Sequence, residues 1–147
     1  MTDPPPAAAV VRRVLPATPD RVFDQWTDPE ALADWMCPRP ARATSIALDP
    51  TEGGRLHLDI TEDGVEFTVT GAFLTVDRPH RLRFTWSCST WDDPTLQSIV
   101  TVTLEPQHRT QTLMTIHHAL VPPDTITQHQ GGWALIAEQL TTTLTRQ

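Results

Sequence analysis

A chain of 147 residues and 16.4 kDa suits one domain, large enough to bury a core without help from disulfides or metal. With 39% hydrophobic and 20% charged residues it has the make-up of a globular protein, so global disorder is excluded. A net charge of −7, all its positive charge from Arg, argues against sequence-independent binding to nucleic acid or anionic membranes.

Taken in chain order, residues 1–7 open with MTDPPP and read as a disordered lead, since consecutive prolines favour extended backbone. Residues 8–147 are expected to form a single domain. Ala8 to Leu15 has a β-branched centre and ends before Pro16, which predicts a strand. Thr18-Pro19-Asp20 is a helix start: Thr18 caps free amides, Pro19 fits the first turn and Asp20 complements the dipole. Val22, Phe23 and Trp26 then share a helical face. Asp28-Pro29-Glu30 repeats the signal, and Leu32, Trp35 and Met36 form the stripe of a second short helix that stops before Pro38.

From Ala43 the apolar period changes to two. Ile46 and Leu48 precede a turn at Glu52-Gly53-Gly54, and Leu56, Leu58 and Ile60 follow. Asp63-Gly64 predicts a type I′ hairpin leading to Val65, Phe67 and Val69. Gly71 predicts a bulge or bend, because Phe73 and Leu74 break the alternation. Leu82, Phe84, Trp86 and Cys88 alternate in the next strand. A polar turn over Ser89 to Pro94 leads to Ser98, Val100, Val102 and Leu104. The last strand places Met114, Ile116, His118 and Leu120 on one side and His117 on the other, before Pro122-Pro123.

The segment from Asp124 to Gln147 is helical by period, with Trp133, Ile136, Ala137, Leu140 and Leu144 in one stripe. Gly131-Gly132 interrupts it. Either the helix begins near Gly132 after a separate first turn, or its backbone approaches the sheet closely there. The order is one strand, two short helices, a meander of about six antiparallel strands and a long helix.

In that order the chain resembles the START-like superfamily, also called SRPBCC. Within it, the branch is that of the C-terminal domain of the activators of the heat-shock protein 90 ATPase. The resemblance is carried by LPATPDRVFDQWTDPEALADWMCP (residues 15–38), EGGRLHLDI (52–60), FTVTGAFLTVDRPHRLRFTW (67–86), HHALVP (117–122) and the Gly-Trp of GGWALIAEQL (131–140). It implies an α+β helix-grip fold, in which a curved antiparallel sheet of six to seven strands wraps a long C-terminal helix. The superfamily holds lipid carriers, polyketide cyclases, hormone receptors and chaperone activators, so it implies a fold more sharply than an activity.

A cavity between sheet and helix is then expected to hold a hydrophobic small molecule. Its expected lining is Trp35, Phe67, Phe73, Phe84, Trp86, Ser98, Met114, Ile116, His118, Trp133 and Ile136. His118 carries two readings: a core imidazole satisfied by a carbonyl or hydroxyl, or a polar anchor or proton-transfer group facing the ligand. Trp91, in a polar turn with no evident core to join, is expected to be a lid or a homodimer contact. Cys37 and Cys88 read as free thiols, and no His or Cys spacing fits a metal. No cofactor is expected, and the absence of a leader pattern points to the cytoplasm. Three functions stay open: a small-molecule binding protein, a chaperone-interacting stress-response protein, and a cyclase or dehydratase using His118.

Overall fold

The computed structural model describes residues 8–93 and 95–147, so the expected disordered lead and Pro94 lie outside the described residues. Strand β1 (Ala8–Leu15) is followed by helices α1 (Pro19–Thr27) and α2 (Pro29–Trp35). The strands β2 (Arg42–Leu48), β3 (Arg55–Glu62), β4 (Val65–Asp77), β5 (Arg81–Cys88), β6 (Ser98–His108) and β7 (Gln111–Ala119) come next. A 3₁₀ turn (Pro123–Thr125) leads into helix α3 (Ile126–Arg146).

The strands form one antiparallel sheet in the order β1-β7-β6-β5-β4-β3-β2. Only β1 departs from a simple meander, pairing with the last strand. The two edge strands, β1 and β2, are the ones that flank α1 and α2 in sequence.

The local signals act as their chemistry requires. Thr18 Oγ1 accepts from Arg21 N at 3.4 Å, and Asp28 Oδ1 accepts from Glu30 N at 3.0 Å, capping α1 and α2. Asp63 and Gly64 both hold positive φ, at 51° and 83°, as a type I′ turn demands. The irregularity in β4 falls at Phe73–Thr75, just beyond Gly71. Gly71 has a different reason to be glycine: a Cβ there would overlap the carbonyl oxygen of Thr85 on β5.

Two sequence expectations change. Helix α3 runs without a break from Ile126 through Gly131 and Gly132, so the glycines sit inside it. Leu120 does not continue the inward row of β7. The strand ends at Ala119, and Leu120 takes φ +62° with its side chain exposed.

Helix α3 is tied down along both flanks. Gln130 exchanges two hydrogen bonds with the backbone of Val10 on β1, 2.7 Å to its N–H and 2.5 Å to its carbonyl, and Glu138 pairs with Arg13 on the same strand. On the other flank, Gln139 Nε2 donates to the carbonyls of Trp35 and Cys37, both at 2.8 Å, and its Oε1 accepts from Arg39 N at 3.0 Å. Beneath the helix, Trp133, Ile136, Ala137, Leu140 and Leu144 are buried against the sheet. This stripe and the inward residues of the strands form one continuous core.

Candidate functional site

The core does not close at the N-terminal end of α3. A cavity of about 630 Å³ lies there, within the range of about 300–1,000 Å³ usual for small-molecule sites. The sheet supplies Ile60, Phe67, Val69 and Trp86 to it. Helix α3 supplies Gly132, Trp133 and Ile136, and the segment after α2 supplies Met36, Cys37, Pro38 and Ala41. Around the rim stand Glu62, Asp63 and Val65 of the β3–β4 hairpin, Thr90 and Trp91 after β5, and Thr125, Gln128 and His129.

The elements explain why space remains. Glycine at 132 leaves the underside of the helix bare where a Cβ would meet only Pro38 Cγ, 3.8 Å away. The segment opposite is fixed in its conformation by its own bonds. The Arg39 guanidinium donates to the carbonyls of Asp34, Met36, Cys37 and Ala41 at 2.7–3.4 Å, and Gln139 grips the same stretch from α3.

Behind the cavity lies a proton-ordered network. Trp133 Nε1, which can only donate, bonds His118 Nδ1 at 3.0 Å. Nδ1 is therefore the acceptor nitrogen, and the neutral ring carries its proton on Nε2. From there it reaches Ser98 Oγ at 2.7 Å, and Ser98 in turn donates to the carbonyl of Trp86 at 2.6 Å. Both nitrogens are used. Burial, reinforced by His129 and His117, pushes the His118 pKa down to about 3, so the ring stays neutral at physiological pH.

A row of rings connects this network to the rim. His129 meets His118 edge to face with centroids 4.8 Å apart, and Trp91 meets His129 in the same way at 5.9 Å. His129 Nδ1 donates to the carbonyl of Thr125 at 2.9 Å, which leaves Nε2 as the acceptor nitrogen, without a protein partner among the described residues. Burial lowers the His129 pKa, against the opposing pull of the Thr125 carbonyl. The two thiols on the wall are poor nucleophiles or already engaged. Burial raises Cys37 to about 11, and Cys88 Sγ lies 3.1 Å from Thr90 Oγ1.

Comparison with known proteins fits this fold. The family model described as "Activator of Hsp90 ATPase homolog 1-like protein" matches residues 16–145. The chain belongs to this family. Among solved structures, a protein from Chromobacterium violaceum is 26% identical, with a TM-score of 0.81 over 95% of this chain and 98% of that one. The AHSA1 protein from Silicibacter pomeroyi is 24% identical, with a TM-score of 0.82 over 95% and 98% of the two chains. A solution structure from Arthrobacter aurescens, 24% identical, gives a TM-score of 0.83 over 100% of this chain and 91% of that one. These likenesses establish the fold. No curated protein matches the chain.

Within this AHSA1-type domain, the expected lining divides in two. Phe67, Trp86, Trp133 and Ile136 do face the cavity. Trp35, Ser98, Met114, Ile116 and His118 are fully buried behind it, and Phe73 and Phe84 pack around a separate small void nearer α1. The physical reason is coverage: the inner half of the concave face is filled by α3, and only the end toward β3–β5 stays open. Trp91 is half-buried at the rim, packed on His129. The residue missed from sequence is His129. It lies four before Trp133, on the same face of α3, and placing the helix start at Gly132 hid that spacing.

Among the described residues no helix is long and apolar enough to cross a membrane, and no group of His, Cys, Asp and Glu is placed to hold a metal ion.

Proposed function

We propose that this AHSA1-family domain binds an apolar small molecule in the cavity between its sheet and the N-terminal part of α3. The observation that carries the reading is the cavity itself: about 630 Å³, walled by Phe67, Trp86, Trp133 and Ile136, with a half-buried Trp91 at its rim. Burial of apolar area at about 25 cal/mol per Å² is enough to hold such a ligand with few polar contacts. Polar orientation comes from the rim, where the Nε2 of His129 offers an acceptor. The family's name refers to an ATPase of heat-shock protein 90 and says nothing of small molecules. The reading therefore rests on geometry.

Acid–base chemistry by His118 does not fit this site. Its two nitrogens are committed to Trp133 and Ser98, and Trp133 and His129 stand between it and the cavity. If any proton transfer occurs here, His129 is the imidazole in position for it. Native mass spectrometry of gently purified protein tests the binding reading. A bound organic mass, or saturable one-to-one uptake of a hydrophobic dye, is the expected result. Neither a bound mass nor a saturable site would reject it.

A further inference from the structure

The charged side chains around the cavity are negative, and they stand beside neutral polar groups, Thr90 and Gln128. Glu62 and Asp63 bring two exposed carboxylates to the rim. His129 presents an acceptor nitrogen, because its only N–H is taken by Thr125. The Thr125 hydroxyl already donates to the carbonyl of Pro122 at 2.7 Å. No arginine lines the cavity among the described residues. The arginine of the adjoining wall, Arg39, has its guanidinium spread over four backbone carbonyls. Burial chiefly raises the Cys37 thiol; Arg39 pulls it down, and Glu62 adds a smaller push upward. Three indoles, Trp86, Trp91 and Trp133, add faces that attract cations.

We propose that the site selects ligands whose apolar body ends in a hydrogen-bond-donating or cationic head, an amine above all, and discriminates against carboxylates. The preference rests on the binding reading above and gives it a ligand class. The body lies against Phe67, Trp86 and Ile136. The head stays at the rim, where Glu62 and Asp63 neutralise a positive charge and His129 Nε2 accepts an N–H. A fatty carboxylate in the same pose would face two like charges and no arginine in the lining.

Three probes of equal length separate the ideas: decylamine, decanol and decanoate, titrated at neutral pH below their micellar concentrations and followed by tryptophan fluorescence. The expected order of affinity is amine, alcohol, carboxylate, with about tenfold or more between the first and last. The Glu62→Gln/Asp63→Asn double variant should bring amine and carboxylate close to parity. Both residues are exposed, and Asn tolerates the positive φ of position 63, so the fold is expected to survive. High salt should narrow the wild-type preference in the same direction. Decanoate binding as tightly as decylamine would overturn the proposal. So would a preference that persists undiminished in the double variant, since the rim carboxylates would then not set it. Binding by none of the three removes the parent reading and the preference together. Binding of all three without order removes the preference alone.

Discussion

The indole of Trp133 donates a hydrogen bond of 3.0 Å to Nδ1 of His118, joining α3 to β7 at the back of the cavity. One bond decides several properties at once. It fixes the tautomer of His118, sets Trp133 as a cavity wall and removes His118 from contact with a ligand.

Replacing His118 by Ala should therefore act on stability. The variant leaves Trp133 Nε1 and Ser98 Oγ without their partner and opens a void in a fully buried place. A loss of about 2–4 kcal/mol is expected in urea denaturation. A change within about 0.5 kcal/mol would contradict the network.

The same burial predicts a pH dependence. The folded pKa of His118 is about 3 against an ordinary 6.5, so the unfolded chain binds more protons between those values. Stability is then fully present above pH 6.5 and is lost as pH falls toward the folded value, with a slope approaching about 1.4 kcal/mol per pH unit. His129, also shifted down, adds to the loss with the same sign. Between pH 7 and 5, before most carboxylates titrate, denaturation midpoints should fall. Constant or rising midpoints over that window would contradict the buried neutral imidazole.

Gln139 is expected to hold the cavity wall. Its side chain bonds two carbonyls and one N–H of residues 35–39, about a hundred positions away in sequence. Gln139→Ala should cost about 1–3 kcal/mol and raise amide exchange in residues 36–41. Unchanged exchange there would show that Arg39 alone suffices.

At Gly131, a Cβ would meet nothing within 4 Å, and the position lies inside a regular helix. Gly131→Ala should raise stability by about 0.5–1 kcal/mol in thermal or urea unfolding. A loss would mean the glycine serves a backbone contact.

Much of the fold was legible because its signals are local. Thr18 and Asp28 cap helices, Asp63-Gly64 turns a hairpin, and the Trp133–Leu144 stripe reads directly as a buried helix face. The site was only half legible. Strand parity places Phe67, Phe84, Met114 and His118 on the concave face alike, but it carries no information on how far α3 covers that face. Coverage depends on sheet curvature and on long-range ties such as Gln130 to Val10 and Gln139 to Cys37. His129 was hidden for a simpler reason. A glycine pair reads as a helix boundary, and here the packing of both flanks carries the helix through it.

The most direct test of the account fills the cavity from within. Gly132→Phe places a ring in the space between α3 and Pro38, on a helix that gains propensity by losing glycine. Titrated with decanol and followed by tryptophan fluorescence, the wild type should show saturable one-to-one binding. The variant should melt no lower than the wild type and bind at least about tenfold more weakly. Equal affinity in the two folded proteins would place the ligand elsewhere and contradict the assignment of this cavity.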